Sequence, residues 1–475
     1  MPLIKSSKNR LLGGRCSCLS VIFTCFFLAL VFASVVCRDR SYDFVITDVK
    51  YLKGDLLSEN GYFIGIKGDK ITYIGKHKIL GKTMVYGTGL VLAPGFIDVN
   101  CCNWLSQSAA LLKLKDGITT CFVAHGDMFN ANASVNHASE LLNYATSVGL
   151  IPAQMAHLSD HEMFAAIEKS LRFGAYTIAL SPEYNSKTTP EVISSLGDHF
   201  ANKNILFTFH LRYSSRKDEL RGLQEAIECA QRGVPVHILH ISSTGATFHP
   251  EEACQMIDKA VQGGANITFD FYPYTGWSSS IHRARFDGDW LQRYETDMSH
   301  VHVGDADPLT LEQFVQMSHD PVQRNVNVDS IPQLTVDYFA LKTFCPIGTD
   351  SPGDVTTVHP RGVGSFTKFL NDYVDTGKIP LSQALYRLST QAANQFSPYI
   401  PDLKNRGSIE VGKAADLILW NPTKIKSRAT YANPHEPSDG VIAAFVNGIP
   451  VILGGKVEEP KLPPGHHLKG AWAKQ

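Results

Sequence analysis

The chain lacks an excess of charge of either sign. It has 475 residues, of which 44 are basic and 45 acidic, so its formal net charge is −1. Nucleic-acid binding requires a basic footprint on the protein surface. The composition therefore argues against nucleic acid as the main partner. Hydrophobic residues make up 44% of the chain and aromatic residues 10%, which is typical of an ordered globular protein.

Cysteine is sparse and forms none of the spacings that carry chemistry. Four of the ten cysteines precede residue 38, and the other six include no C-x-x-C pair. These facts exclude a thioredoxin-like redox motif and a zinc knuckle, and the scatter does not indicate a disulfide framework. G-x-G-x-x-G and P-loop motifs are also absent, so nothing supports an open nucleotide-binding sheet.

One long uncharged run is present at the N-terminus. Residues 16–37 carry no charge, and basic residues precede and follow them. A signal-peptide core usually takes about 7–15 residues, whereas a bilayer span takes about 20. We expect residues 1–40 to form an N-terminal hydrophobic signal-anchor helix, or a signal peptide cleaved near Ala33. Either alternative predicts a membrane-anchored or secreted protein whose body lies outside the cytoplasm.

The middle of the chain alternates strand-like and helix-like segments, which predicts an α/β fold with a (β/α)8 TIM-type barrel over residues 95–400. An open doubly wound sheet is the alternative. The candidate helices are Ala138–Ser147, Asp160–Arg172, Pro190–Asn202, Asp218–Gln231 and His249–Gly263. The candidate strands are Gly95–Val99, Ile118–Ala124, Leu150–His157, Tyr176–Leu180, Ile205–His210, Pro235–His240, Asn266–Tyr272 and Phe344–Asp350.

Short apolar runs broken by turn signals lie on both sides of this middle region. Asn447-Gly448, between two such runs, is a strong hairpin signal. We expect residues 41–94 and 401–475 to form one small β-sandwich domain from both ends of the chain. Residues 275–339 form a long insertion that we expect to cover a pocket as a lid. Its candidates for substrate contact are Trp277, His282, Arg283, Arg285 and Trp290.

Three predicted strands end on histidine, and a fourth ends on aspartate. We expect His157, which ends the third predicted strand, to be structural. His210 and His240 are thirty positions apart with a helix between them, a spacing that suits one β-α-β unit. Asp350 ends the last predicted strand, so all three side chains should share the rim where barrels place catalytic groups. Two histidines and a carboxylate with an open coordination position outline a hydrolytic zinc site. The alternative is that the histidines are structural and that Asp350 caps its strand.

Several motifs resemble the amidohydrolase superfamily, and within it the N-acyl-D-amino-acid deacylase (D-aminoacylase) family. Ala93-Pro-Gly-Phe-Ile-Asp98 is similar to the start of the superfamily barrel, and Arg406-Gly through Ala415-Asp416 is similar to a superfamily motif near its end. Asp270-Phe-Tyr-Pro-Tyr274 and His359-Pro-Arg361 are narrower and resemble the deacylase branch. The resemblance runs from about residue 43 to the C-terminus.

The resemblance implies a role for each matching residue. His210 and His240 match the zinc-binding histidines of strands five and six, and Asp350 matches the catalytic aspartate. Arg361 matches an arginine that binds the substrate carboxylate, a role suited to its planar fork. The implied substrate-binding residues are Arg361, Tyr272, Tyr274 and, within the His210-Leu-Arg motif, Arg212.

Part of the family's metal-ligand set is altered. The family expects His-x-His after Asp98, but the chain has Asn100-Cys101-Cys102. Gly126 stands where the family has a bridging cysteine, and Ser242 stands where it has a lysine that contacts the substrate carboxylate. A two-metal site is therefore not expected. We expect one zinc per chain, with the third ligand supplied by His125, Cys102 or, as a further candidate, Glu183.

The leading prediction is an enzyme, a metal-dependent hydrolase of linear carbon–nitrogen bonds other than peptide bonds. Its substrate would be a small N-acylated amino acid or a related amide. The first alternative is a catalytically degenerate binding or scaffold protein, which the altered ligands favour. The second is a cyclic-amide hydrolase of the dihydroorotase type. The retained His210, His240, Asp350 and Arg361 favour the hydrolase of linear amides, and the oligomeric state stays open.

Overall fold

The computed structural model describes residues 42–101, 106–124, 140–150, 157–304, 307–351 and 359–473. The predicted signal anchor at residues 1–40 lies outside these ranges. Within them, no helix combines the length and the apolar character that a membrane span requires.

The N-terminal part is a set of short strands that turn at glycine-containing loops. β1 is the longest, and its two halves pair with different strands, β3 and β5 on one half and β2 and β6 on the other. A bulge between Ile46 and Val49, where Asp48 has a φ of 51°, separates the two halves. The strands are β1 Tyr42–Lys53, β2 Leu56–Leu57, β3 Tyr62–Lys67, β4 Lys70–Gly75, β5 Gly81–Tyr86 and β6 Val91–Pro94.

The central part is a curled sheet of parallel strands whose order follows the chain. Seven strands of this sheet fall within the described ranges, and each pairs in parallel with the next. They are β7 Phe96–Cys101, β8 Ile118–Val123, β9 Asn143–Gly149, β10 Thr177–Leu180, β11 Leu206–Phe209, β12 Val236–Ile238 and β13 Ile267–Phe269. The α/β fold with a parallel sheet is therefore confirmed.

The two edges of this sheet meet at the segment around Ile347. Ile347 bridges in parallel to Phe271, just after β13, and its carbonyl accepts the N–H of Val99 at 3.4 Å. The N–H of Asp350 donates to the carbonyl of Asn100 at 2.7 Å. These contacts close the sheet, so the open-sheet alternative is wrong. The predicted strand Phe344–Asp350 is reduced to this single bridge.

Most of the predicted strand Leu150–His157 lies outside the described residues. The third strand of the parallel sheet in the described ranges is Asn143–Gly149, and it occupies part of the segment predicted as the helix Ala138–Ser147, so that helix prediction is wrong. The sequence of this strand, Asn-Tyr-Ala-Thr-Ser-Val-Gly, does not predict a strand, because the buried positions 143 and 146 hold the polar residues Asn and Thr. The amide of Asn143 donates to Asp416, a partner 273 positions away.

Helices cover the outside of the sheet, and those with strong N-terminal signals begin where the sequence predicts. Ser159 and Glu162 form a capping box for the first long helix, and Thr189 with Pro190 starts the next. The helices in the described ranges are α1 Gln107–Lys115, α2 Asp160–Phe173, α3 Pro190–Phe200, α4 Glu219–Gln231, α5 Pro250–Gln262, α6 Trp290–Arg293, α7 Leu311–His319, α8 Gln333–Lys342, α9 Arg361–Phe369, α10 Leu381–Tyr386 and α11 Ala392–Phe396.

The long insertion folds around a small antiparallel sheet in the order β14, β16, β15. Its strands are β14 Gly276–Ser280, β15 Val301–His302 and β16 Asn325–Asp329. The aromatic residues Trp277, Phe286 and Trp290 pack against one another, with ring centroids 5.1–5.5 Å apart between neighbours. Trp277 is 1% exposed, so this predicted substrate contact lies in the insertion core.

The C-terminal strands join the N-terminal sheet. β17 Leu417–Trp420 pairs with β6, and β18 Val441–Val446, β19 Ile449–Leu453 and β20 Lys456–Val457 follow in order. Asn447 and Gly448 connect β18 to β19 with φ values of 48° and 76°, as the predicted two-residue hairpin requires. Strands from both ends of the chain thus share one ten-stranded sheet in the described residues.

Candidate metal and catalytic site

The polar side chains of the site follow the ends of neighbouring parallel strands. Glu183 comes after β10, His210 directly after β11 and His240 after β12. Asp350 follows Ile347, the residue that closes the barrel. Because parallel strands place their carboxyl ends on one rim, residues far apart in sequence meet there.

The two predicted histidines are in contact. His210 Nδ1 lies 3.2 Å from His240 Nε2, and both side chains are at most 3% exposed. On the other side of its ring, His210 Nε2 lies 2.6 Å from Glu183 Oε2. An ionised carboxylate only accepts hydrogen bonds, so Nε2 carries the proton and Nδ1 presents its lone pair to His240.

Two hydroxyls lie near the other ring nitrogen of His240. Ser243 Oγ is 3.2 Å and Thr244 Oγ1 is 3.4 Å from His240 Nδ1, and Ser243 Oγ also donates to the His240 carbonyl at 3.1 Å. Burial lowers the pKa of His240 to about 3, against the attraction of Asp350, so the ring is neutral near pH 7.

The converging nitrogens fit a zinc ion. Two nitrogen ligands at about 2.0–2.1 Å from a tetrahedral zinc lie about 3.3–3.4 Å apart. His210 Nδ1 and His240 Nε2 are 3.2 Å apart, close to this separation. Imidazole is a donor that zinc prefers. The two residues therefore suit one shared metal ion.

Asp350 lies beside this pair. Its Oδ2 is 3.8 Å from His240 Nε2 and 2.8 Å from Arg361 Nη2, and its side chain is 15% exposed. The Arg361 guanidinium lies over the ring of Tyr272, 4.8 Å from the centroid. Asp350 is thus a partly accessible carboxylate held by a buried cation.

Glu183 has several hydrogen-bond and ion-pair partners that the sequence does not predict. It accepts from His210, from Ser214 Oγ at 2.8 Å and from Tyr294 OH at 3.3 Å. Arg285 Nε lies 3.6 Å from its Oε2. Burial raises the pKa of Glu183, but Arg285 and the His210 hydrogen bond outweigh it and lower the pKa to about 2. Its carboxylate is charged throughout the physiological range.

Other predicted site residues lie elsewhere or outside the described ranges. The Arg212 guanidinium pairs with Glu225 of α4, at 2.8–3.2 Å, so this geometry gives no support to substrate binding by Arg212. Tyr274 packs edge-on against His359 and lies beside Lys368 rather than at the histidine pair. The predicted ligands His125 and Cys102, together with Gly126, lie outside the described residues.

Two of the altered family positions, Asn100 and Ser242, are buried. Asn100 occupies the first position of the expected His-x-His motif, and neither its amide nitrogen nor its oxygen has a partner among the described residues. Gly348 fits closely against it, since a Cβ there would lie 2.5 Å from both Asn100 Cβ and Asp270 Oδ1. Ser242 is fully buried and its hydroxyl also lacks a partner in the described part of the chain.

A second cluster of possible metal ligands lies in the barrel wall. The ligand atoms of Asp98, Cys101 and Cys121 are within 4.8 Å of one another. The Lys113 ammonium is 2.8 Å from Asp98 Oδ2 and already supplies positive charge there. Burial raises the pKa of the Cys121 thiol well above its usual value, so this thiol stays protonated. The cluster is therefore an ion pair with two thiols rather than a cation site.

Comparisons with known proteins agree with this fold. No family model matches the chain. It is 25% identical over 442 residues to a D-aminoacylase from Alcaligenes xylosoxydans xylosoxydans, covering 82% of this chain and 90% of that protein. The crystal structure of N-acyl-D-glutamate deacylase from Bordetella bronchiseptica, complexed with zinc and a phosphonate inhibitor, superposes with a TM-score of 0.74 at 19% identity and covers 90% of this chain and all of that one.

A D-aminoacylase structure described by one-metal activation and second-metal attenuation superposes with a TM-score of 0.70 at 19% identity, over 90% of this chain and all of that one. These likenesses show that the chain shares the curled parallel-sheet fold of those structures. Along most of its length the chain is similar to proteins named D-aminoacylase and N-acyl-D-glutamate deacylase.

Proposed function

We propose that the protein is a zinc-dependent hydrolase that removes the acyl group from a small N-acylated amino acid. The observation that carries this proposal is the convergence of His210 Nδ1 and His240 Nε2 at 3.2 Å beside the carboxylate of Asp350. The related proteins named above, which act on N-acyl-D-amino acids, support this substrate class. The Tyr-Pro-Tyr and His-Pro-Arg motifs support a linear rather than a cyclic amide.

His210 and His240 would hold one zinc, with a further ligand from His125 or Cys102. When bound, zinc polarises the amide carbonyl and makes water a stronger acid. The description of a related D-aminoacylase as activated by one metal supports a single ion. Neutral, buried imidazoles bind metal without competition from protons near pH 7, which suits the low pKa of His240.

Asp350 would act as the general base and then as the general acid. It takes a proton from the attacking water and delivers this proton to the nitrogen as the C–N bond breaks. The products are a carboxylic acid and a free amino acid, so atoms and charge balance. Arg361, 2.8 Å from Asp350, keeps the carboxylate in place between the two transfers. We retain Arg361 and Tyr272 as candidates for contact with the substrate carboxylate and amide.

The test is release of free amino acid from a panel of N-acetyl-D- and N-acetyl-L-amino acids with neutral and acidic side chains. We expect hydrolysis of at least one D-isomer, and a loss of about 100-fold or more in Asp350→Asn with zinc content unchanged. Asp320→Asn, which alters an exposed ion pair with Arg324, is the matched control and should keep full activity. Near-normal turnover by the Asp350→Asn enzyme would refute this mechanism.

We also propose that residues 1–40 carry the protein to or across a membrane. The uncharged run of residues 16–37 and its basic flank support this proposal. Cell fractionation should find the full chain in the membrane or extracytoplasmic fraction and a chain that begins at residue 41 in the cytosol. Equal distribution of the two chains would contradict it.

A further inference from the structure

We propose that Glu183 is the positioning carboxylate of the zinc site: it fixes the proton of His210 on Nε2 and aims Nδ1 at the metal. The inference deepens the proposed function and rests on it. Zinc-bound histidines almost always donate their second ring N–H to a carboxylate, carbonyl or water, which orients the ring and raises its basicity. The 2.6 Å contact between His210 Nε2 and Glu183 Oε2 has this form.

The geometry argues against direct coordination of the metal by Glu183. The Nδ1 of His210 faces His240, whereas Glu183 lies at the opposite ring nitrogen. The ligand atoms of Glu183, His210 and His240 do not converge on one point. Among the described residues, the one cluster of three such ligand atoms is Asp98, Cys101 and Cys121. Glu183 therefore reaches the metal through His210.

Glu183 is itself held from two directions. Ser214, four residues after His210, donates to Oε1 at 2.8 Å. Tyr294 and Arg285 reach Glu183 from the insertion between β13 and Ile347, and Arg285 Nε also donates to Tyr294 OH at 3.0 Å. A carboxylate fixed by this many donors has little freedom to rotate away from the imidazole. The insertion thus supports the zinc site through Tyr294 and Arg285.

Arg285 connects this support to the second histidine. Its Nη2 donates to the carbonyl of Ser243 at 2.9 Å, and Ser243 contacts His240. The guanidinium lies 4.1 Å from the ring centroid of Trp277, which places a desolvated cation against an aromatic face. One buried arginine therefore holds the partners of both imidazoles.

The experiment measures zinc affinity of the full-length protein by competition with a chromogenic chelator, for wild type, Glu183→Gln and Glu183→Ala. We expect one zinc on each, with affinity about 10–100-fold weaker in Glu183→Ala and intermediate in Glu183→Gln, whose amide oxygen can still accept from Nε2. Ser214→Ala and Tyr294→Phe should weaken affinity less and in the same direction.

Glu168→Gln is the matched control, because Glu168 pairs with His199 at 3.1 Å between two outer helices. It should bind zinc as wild type does. The visible spectrum of the cobalt-substituted protein is a readout that a merely structural role would not change. We expect a shift of its bands in Glu183→Ala and none in Glu168→Gln.

Wild-type affinity and an unchanged cobalt spectrum in Glu183→Ala would overturn the positioning role alone. Complete loss of zinc from Glu183→Gln would also overturn it, since that result would make Glu183 a direct ligand. A wild-type protein that binds no zinc would overturn the proposed function together with this inference. The wild-type measurement therefore distinguishes the two failures.

Discussion

Two residues of the candidate site have strained backbones. His240 has a φ of 34° and Asp350 a φ of 46°, in the left-handed region that branched and bulky residues avoid. Asp270 Oδ1 accepts the N–H of His240 at 3.0 Å, and the Asn100 carbonyl accepts that of Asp350 at 2.7 Å. Strain of this kind persists only where neighbouring groups fix the conformation, and it clusters at functional sites. Here it turns both side chains toward one point.

His302, in the insertion, should make the stability of the fold depend on pH. Both ring nitrogens of His302 face acceptors, the carbonyl of Gly304 at 3.0 Å and Asp329 Oδ2 at 3.4 Å. The hydrogen bond to Asp329 raises the pKa of His302 above its usual value of about 6.5, against the effect of burial. The folded state therefore binds this proton more tightly than the unfolded state does.

The sign of the effect follows from linkage. The stabilisation by His302 is fully present below about pH 6.5 and is lost as the pH rises through the higher pKa of the folded state. In urea unfolding, the difference in free energy of unfolding between wild type and His302→Gln should be larger at pH 6 than at pH 9. A difference that is constant or grows with pH would contradict the assignment.

At the scale of elements, one ion pair joins the first helix, the first barrel strand and the segment that closes the barrel. Lys113 of α1 donates to Asp98 of β7, and Asp98 also accepts from the backbone and hydroxyl of Thr349 at 2.9 and 2.7 Å. Lys113 and Asp98 are fully buried. Burial lowers the pKa of Lys113, but the attraction of Asp98 outweighs this and raises it, so the lysine stays charged.

Removing one member of this pair should be costly because it leaves a buried charge without its partner. Lys113→Met should lower the free energy of unfolding by about 3–5 kcal/mol, measured by urea titration. Lys115→Met is the matched control on the same helix, where the ammonium makes one bond to the Gly455 carbonyl, and it should cost about 1 kcal/mol. Equal losses in the two variants would show that the pair has no special role.

The elements that the sequence predicts correctly carry local signals. The capping box at Ser159 and the Asn447-Gly448 turn each specify structure within a few residues. The strand Asn143–Gly149 carries no such signal, because its buried polar residues find partners far along the chain: Asn143 contacts Asp416 and Asn447, and Thr146 contacts His467. One of these partners lies 273 positions away, so it leaves no trace in the segment itself. The spacing of apolar residues within the segment therefore predicts a helix.

The candidate site likewise contains residues that the sequence predicts and residues that it does not. His210, His240 and Asp350 each end a predicted strand, so the order of strands along the chain is enough to predict that they share one rim. The contact of Glu183 with Arg285 and Tyr294 joins β10 to an insertion about a hundred positions later. No periodicity in the sequence fixes where that insertion docks. A glutamate just after a barrel strand is the one signal that points to Glu183.

At the scale of the whole molecule, the C-terminal sheet is tied to the barrel. Asn447 Nδ2 donates to Asn143 Oδ1 at 2.7 Å and to the carbonyl of Pro464 at 2.6 Å. Arg406 donates to Asn447 and pairs with Asp416. These buried bonds fix the C-terminal sheet against the first residue of the third barrel strand, at the end opposite to the candidate site.

The proposed activity depends on a metal that two histidines hold. The most direct measurement is elemental analysis of the gel-filtered protein, for wild type and for the His210→Ala/His240→Ala double variant. We predict about one zinc per wild-type chain and none in the double variant, with both proteins folded by circular dichroism. A folded wild-type chain without metal, even after zinc is supplied, would contradict the account and favour the scaffold alternative.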